Sequence, residues 1–166
     1  MIDGNDIVGG EGPLAPTRCG GMPVMDVVRY LEDGHTLGEL KALCMKTGGF
    51  ESLEGTSDAV ELIARARAGD ADARRAWEAM AYQVCKEIGA MACALGGGVD
   101  GILLGGGLAY DEGLVHRIER GCGWIAPVTA YPGEFEMEAM AAGALRVLRG
   151  EETLLTYTGE PVFSGF

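Results

Sequence analysis

The longest hydrophobic pattern in the chain is helical and runs from about Asp70 to Leu95. Its apolar side chains recur every three or four residues, which places them on one face of an α-helix. They are Trp77, Met80, Ala81, Val84, Cys85, Ile88, Met91, Ala92 and Leu95. Asp70 or Asp72 can cap the start of this helix, and three glycines at 96–98 end it. Small or flexible residues fill 89–94, so we expect this half to lie against a sheet or a partner helix.

Before that helix, shorter patterns predict a loop and three helices. Residues 1–24 are rich in Gly and Pro, which predicts a short strand followed by an ordered loop, and Met1–Asp3 can close that strand. The helices are predicted at 25–33, at 36–47, and from Ser57-Asp58 to about Ala68. Thr36 is the expected N-cap of the second helix, and Gly48-Gly49 its stop.

After residue 98 the pattern changes to short strands that alternate with helices. The predicted elements are a strand at Val99–Leu104, a glycine run at 105–107, a helix from Asp111 to about Arg120, a strand at Trp124–Tyr131, a turn at Pro132-Gly133 and a helix at Glu134–Arg149. Asp111 is the candidate N-cap of the first of these helices. This alternation implies an α/β fold with a parallel sheet and right-handed crossovers. The tail at 150–166 has no clear period, and neither a repeat nor a linker divides the chain.

The composition is that of one ordinary globular domain. The chain has 166 residues, of which 48% are hydrophobic and 23% charged, enough to bury a core. The net charge of −12 opposes phosphate backbones, so nucleic acid is not an expected partner. No run of 18 apolar residues is present, which excludes a membrane-spanning helix. Residues 1–10 lack the basic and apolar regions of a signal peptide, which favours a cytoplasmic protein.

The cysteines and histidines exclude several kinds of site. Five cysteines, without a C-x-x-C spacing, support neither a disulfide framework nor a structural zinc site. Cys85 and Cys93 lie in the apolar helix, where core packing is expected. Only His35 and His116 are available, without metal-ligand spacing, and the nucleophile elbow G-x-S-x-G is missing. A hydrolase with a serine or cysteine nucleophile is therefore disfavoured.

Glycine is unusually frequent, at 28 of 166 residues, where about 7% is typical. One concentration follows the strand at 99–104, where Gly105, Gly106, Gly107 and Ala109 lead into a helix. Without Cβ atoms the backbone can approach a ligand closely, and ligands gather at the carboxyl ends of parallel strands. This pattern favours a nucleotide site, although it matches neither a dinucleotide fingerprint nor a Walker A loop. The alternative is a tight turn required by packing.

Two further segments carry candidate chemistry. Arg18 is held in a loop rich in Gly and Pro, where its guanidinium can bind phosphate oxygens, although a surface arginine is the alternative. Glu134 and Glu136 stand at the predicted start of the last helix. Stabilisation of the helix dipole explains them without any function. The more specific hypothesis is a magnesium role, either direct or through water.

Together these segments resemble the carboxyl-terminal part of the acetate and butyrate kinase family, and the butyrate kinases in particular, from about Ile2 to Gly150. The motifs that carry the resemblance are Gly10-Glu11-Gly12-Pro13 with Pro16 and Arg18, Ala79 to Gln83, Lys86 to Ala92, Gly106 to Tyr110, Ala126-Pro127-Val128, Tyr131 to Glu134 and Glu136 to Ala139. Several independent motifs in the same order make chance similarity a poor explanation.

The resemblance implies a ribonuclease H-like (actin-like ATPase) domain and a reversible phosphoryl transfer between ATP and butyrate or a related short-chain carboxylate, with Mg²⁺. It assigns Arg18 to the transferred phosphoryl group. It places the nucleotide at Gly105, Gly106, Gly107 and Ala109, with Tyr110 and Asp111 adjacent. It gives Glu134, and less directly Glu136, to the waters of the metal ion. Family members are homo-oligomers, so an oligomer is implied too.

The sequence also departs from the family. Gly105, Cys19 and Asp111 stand where threonine, serine and serine are usual. The amino-terminal domain and the first β-hairpin of the second domain are missing, so residues 1–166 are expected to be an incomplete carboxyl-terminal domain. Such a chain alone is expected to be inactive, because the transfer site lies between two domains. The alternative is a non-catalytic module, derived from this family, that binds nucleotide or mediates assembly.

Overall fold

The computed structural model describes residues 2–159, which form seven α-helices and two short strands. In chain order these are α1 Val24–Glu32, α2 Leu37–Met45, α3 Phe50–Glu54, α4 Ala59–Arg67, α5 Ala71–Ala94, β1 Ile102–Gly106, α6 Glu112–Cys122, β2 Val128–Pro132 and α7 Glu136–Leu148. A 3-10 turn, Gly107–Tyr110, joins β1 to α6. None of these helices is long and apolar enough to cross a membrane.

The two strands pair in parallel, as their alternation with helices predicts. Ile102 lies opposite Val128, and the register continues to Gly106 opposite Pro132. Helix α6 makes the crossover and contacts both β2 and α5, and its buried residues Leu114, Ile118 and Cys122 join the core. The carboxyl ends of both strands therefore reach the same edge, where the glycine turn begins.

Three predicted N-caps are confirmed. Thr36 accepts from the amide of Glu39 in a reciprocal capping box at the start of α2. Asp70 accepts from the amides of Asp72 and Ala73 at the start of α5, and Asp111 accepts from the amide of Gly113 at the start of α6. Each cap satisfies amides that the first helical turn leaves without a partner, so these helix starts follow from local chemistry.

Helix α5 is the centre of the domain. It packs against α3, α4 and α6. Its buried residues are Ala73, Ala76, Met80 and Ala81, and they join a core with Phe50, Leu62 and Ile102.

The second half of α5 departs from this pattern. Cys93 is exposed, so the expectation that it packs in the core is wrong, and Leu95 keeps 44% of its surface. Met91 and Leu95 instead border an open apolar groove with Val99 and Ile125.

Several predicted boundaries shift. Ile2 and Asp3 are irregular rather than the end of a strand, and Met1 lies outside the described residues. Strand β1 starts three residues late and includes two of the glycines. Strand β2 starts at Val128, because the chain turns after α6. In this turn Trp124 is 81% exposed, and its indole N–H donates a hydrogen bond to the carbonyl of Gly121 at 2.9 Å. Helix α7 starts two residues later than predicted, and α3 was not predicted.

Candidate functional site

A cavity of about 630 Å³ lies beside the glycine turn. The turn contributes Gly107, Leu108, Tyr110 and Asp111, helix α4 contributes Ala59, Val60, Ile63, Ala64 and Arg67, and Pro16 and Glu134 complete the lining. The three segments that carry predicted site residues therefore meet here: the glycine turn, the loop of Arg18, which contributes Pro16, and the loop of Glu134. The size suits a nucleotide or a similar small molecule.

The glycine turn presents bare backbone. Gly106 has a φ of +87°, which side-chain-bearing residues rarely adopt. Around Gly105 and Gly107 an added Cβ would meet no atom within 4 Å, so the described chain does not require these two glycines for packing. Gly106 also exchanges backbone hydrogen bonds with Gly133, at 3.1 and 3.3 Å. This pairing fixes the loop of Glu134 beside the turn.

The last three nucleotide candidates differ in accessibility. Tyr110 is 71% exposed and borders the cavity, whereas Ala109 is only 7% exposed. The Asp111 carboxylate accepts from Arg67 Nη2 at 2.5 Å, from Trp77 Nε1 at 3.0 Å and from the amide of Gly113 at 3.1 Å. Three of its acceptor positions are thus occupied by the chain itself. Asp111 shapes the cavity wall and holds Arg67.

Arg18 closes a tight turn that an unpredicted contact holds in place. Ala15 and Arg18 pair with each other through their backbones. The chain at 48–51 lies against this turn: the amide of Gly48 donates to the carbonyl of Thr17 at 3.1 Å, and the amide of Glu51 donates to that of Pro16 at 3.0 Å. A Cβ on Gly49 would collide with the carbonyl oxygen of Ala15. Gly48-Gly49 therefore does more than stop a helix, because it allows close backbone approach.

The Arg18 side chain is half-buried. Its guanidinium makes no hydrogen bond or ion pair within residues 2–159. Pro16, from the same turn, borders the cavity, but Arg18 itself does not. The structure thus brings the arginine turn to the cavity while leaving the guanidinium available to an anion.

The two carboxylates proposed for the metal occupy different positions in the fold. Glu134 borders the cavity, and Glu136 is the first residue of α7; both are exposed. Within residues 2–159 no three side chains of His, Cys, Asp or Glu converge as a metal site. One accessible carboxylate suits a Mg²⁺ ion held mainly by phosphate oxygens and water, which is the usual arrangement for this ion in phosphoryl transfer.

Two thiols lie close to each other beside the arginine turn. Burial raises the pKa of the Cys19 thiol to about 11, and the charge and hydrogen bonding of the neighbouring Cys44 add to this rise. Cys19 Sγ also donates to the carbonyl of Gly20 at 3.2 Å, and its amide to that of Leu43 at 3.1 Å. At neutral pH Cys19 is therefore a protonated packing group rather than a nucleophile.

Sequence reasoning missed Arg67 and the support given by Gly49. Arg67 is the last residue of α4, where a basic residue is explained by the helix dipole, so no local signal distinguishes it. Its partner Asp111 lies 44 residues away. The glycine pair did carry a signal, because two adjacent glycines exceed what a helix stop needs.

Known proteins are similar over nearly the whole chain. The model of the acetokinase family matches residues 9–119. A protein named "Probable butyrate kinase 2", from Caldanaerobacter subterraneus subsp. tengcongensis, is 50% identical over 147 residues, covering 88% of this chain and 42% of that protein. A "Probable butyrate kinase" from Clostridium botulinum is 43% identical over 158 residues, covering 95% and 44%. The chain thus spans less than half the length of these relatives.

A solved structure confirms the expected fold. The crystal structure of Porphyromonas gingivalis acetate kinase superposes with a TM-score of 0.74 at 20% identity, over 83% of this chain and 41% of that one. The resemblance drawn from the ordered motifs and the predicted ribonuclease H-like α/β fold are both confirmed. With the family match covering most of its residues, the chain belongs to the acetokinase family.

Proposed function

We propose that the chain is the carboxyl-terminal, ATPase-like domain of a butyrate kinase, spanning residues 1–166. The reaction is reversible phosphoryl transfer between ATP and butyrate, or a related short-chain carboxylate, giving an acyl phosphate and ADP. The observation that carries the proposal is that Gly107, Tyr110 and Glu134 line the same cavity, next to the turn of Arg18. The names of the relatives support the choice of butyrate.

Each candidate residue has a role in this proposal. The bare backbone of Gly105, Gly106 and Gly107 allows a nucleotide to approach closely, with Tyr110 and Asp111 in the cavity wall and the buried Ala109 next to them in the turn. Arg18 neutralises charge on the phosphoryl group during transfer. Phosphoryl transfer depends more on positioning and charge neutralisation than on covalent catalysis. Glu134, and less directly Glu136 at the start of α7, would orient waters of a bound Mg²⁺ ion. That ion, when bound, screens the phosphate charges.

Turnover requires a second domain in this proposal, because the chain spans less than half of its relatives. The test has two parts. Isothermal titration of the 166-residue chain with ATP and Mg²⁺ should show binding at millimolar nucleotide or below. With butyrate added, a hydroxamate assay should detect no acyl phosphate. Robust turnover by this chain alone would overturn the claim that it is incomplete.

A non-catalytic assembly module is the second candidate, and the open groove on α5 favours it. The groove is lined by apolar side chains, among them Ile88, Met91 and Leu95, and has a volume of about 280 Å³. A homo-oligomer formed through this groove would cover it. Sedimentation analysis that shows an oligomer, together with no nucleotide binding at millimolar concentration, would favour this reading over the kinase site. A cytoplasmic location fits either candidate.

A further inference from the structure

Arg67 is a fixed cation at one end of the cavity. Its side chain is 67% exposed, yet Nη2 donates to Oδ1 of Asp111 at 2.5 Å. That carboxylate is only 6% exposed and is itself held by Trp77 and by the amide of Gly113. Asp111 therefore holds one edge of the guanidinium at this end of the cavity, while its other N–H groups remain accessible.

The residues that precede Arg67 on α4 give this end of the cavity its chemistry. Val60, Ile63, Ala64 and Arg67 follow the spacing i, i+3, i+4 and i+7, which puts them on one helix face, and all four border the cavity. The face is apolar up to the planar guanidinium that ends it. A flat ligand with an apolar surface, such as a nucleobase, matches this face.

The position of Arg67 argues against a phosphate at the same place. It is the last residue of α4, so the exposed carbonyl groups of the helix C-terminus disfavour an anion there. The charge of Arg67 is also partly neutralised by Asp111. An anionic ligand group is better served at the other candidate cation, Arg18, which has no such carboxylate within residues 2–159.

We propose that Arg67 is a positioning residue whose guanidinium stacks on the base of the bound nucleotide. Guanidinium groups stack on aromatic rings, whereas the ammonium group of lysine has no plane with which to do so. This inference rests on the proposed nucleotide function, and it adds a residue that sets where the base lies. The contact contributes about as much as a cation–π pair, which corresponds to roughly a 2- to 30-fold effect on affinity.

Titration calorimetry with adenosine and with ATP and Mg²⁺ tests the proposal. The proteins are the 166-residue chain, Arg67→Gln, Arg67→Lys and a control, Arg29→Gln, which removes an equally exposed arginine on α1. Both Arg67 variants should weaken adenosine and ATP by the same factor, and the control should bind as the parent does. Arg67→Lys should leave the thermal midpoint unchanged, whereas Arg67→Gln should lower it because the buried Asp111 loses its cation. If Arg67→Gln does not fold, Arg67→Lys decides, because it keeps a cation beside Asp111.

Three results would overturn the inference. Full affinity in Arg67→Lys would show that charge alone matters. A loss confined to ATP would make Arg67 a phosphate ligand, and unchanged affinity in both variants would remove it from the site. If the parent chain binds neither adenosine nor ATP, the nucleotide function itself fails and the inference falls with it. That outcome differs from binding that Arg67 does not influence.

Discussion

Gly49 lies with its α-carbon against the backbone carbonyl of Ala15, so that no side chain fits between the start of α3 and the turn of Arg18. Its φ of +63° adds backbone strain to the steric conflict for any other residue. The proposed catalytic arginine therefore owes its position to a glycine more than thirty residues away in the sequence.

Replacing this glycine should loosen the arginine turn. We expect Gly49→Ala to lower the free energy of unfolding by more than about 3 kcal/mol, since strain and a backbone collision combine. Gly55→Ala is the matched control, because Gly55 has a φ of +70° but open space around it, and it should cost about 1–2 kcal/mol. Urea unfolding measures both. Equal costs for the two variants would contradict the role of close approach.

Gln83 fastens the loop that precedes the arginine turn. Its Oε1 accepts from the amide of Leu14 at 2.6 Å, and Leu14 is buried. Gln83→Leu leaves that amide without an acceptor, so we expect a loss of about 1–3 kcal/mol in chemical unfolding. Gln83→Glu keeps a carboxylate oxygen in the same place and should retain most of the stability. If both variants are equally destabilised, the hydrogen bond is not the cause.

A substitution at Gly107 should affect nucleotide binding without affecting the stability of the fold. An added side chain meets open space there, so Gly107→Val should keep the thermal midpoint within about 2 °C, as surface substitutions do. The same side chain would occupy the cavity wall and abolish nucleotide binding in calorimetry. Gly89→Val is the control, since Gly89 also faces open space but lies on α5 outside the cavity lining. Retained binding in Gly107→Val would disprove the glycine assignment.

The thiol of Cys19 gives a prediction about alkaline pH. Its pKa is raised to about 11 by burial and by Cys44, whereas the unperturbed value is 9.0. Between these values the unfolded chain loses this proton and the folded chain keeps it, so stability should fall as pH rises from about 9 to 11. Cys19→Ser should reduce that fall in unfolding experiments across this range. An unchanged pH profile would argue against the shift.

Alkylation tests the protonation state of the Cys19 thiol at lower pH. With iodoacetamide at pH 8 we expect the exposed Cys93 to be alkylated well before Cys19, because the thiolate is the reactive form. Peptide mass spectrometry reads out both sites in one sample. Faster labelling of Cys19 would contradict its protonated, half-buried state.

Local chemistry made much of the fold predictable. The caps Thr36, Asp70 and Asp111 each act within three residues of themselves, so sequence alone locates those helix starts. The parallel pairing of β1 and β2 followed from the order of elements. The pattern predicts an earlier start for β2, because Trp124 and Ile125 are typical strand residues, whereas both lie in the turn after α6.

The candidate site was less predictable because its contacts are distant in sequence. The run of glycines predicts the turn itself, but it does not predict that this turn and α4 line the same cavity. Asp111 was expected next to the nucleotide, and nothing local indicated that Arg67 and Trp77 would occupy its carboxylate. Apolar positions that recur every three or four residues specify which face of α4 is buried. They do not specify which other element leaves room beside it.

The attachment of the first loop to α5 has a consequence for the order of folding. Helices α4 and α5 are neighbours in sequence, and Arg65 joins them by donating to Asp70, so this pair can form early. The loop that precedes the arginine turn depends instead on contacts with α5, of Leu14 with Gln83 and of Asn5 with Glu87, 69 and 82 residues away. Closing such long loops costs more chain entropy. This loop should therefore attach to α5 late in folding. When the protein is warmed, it should detach from α5 before α4 and α5 separate.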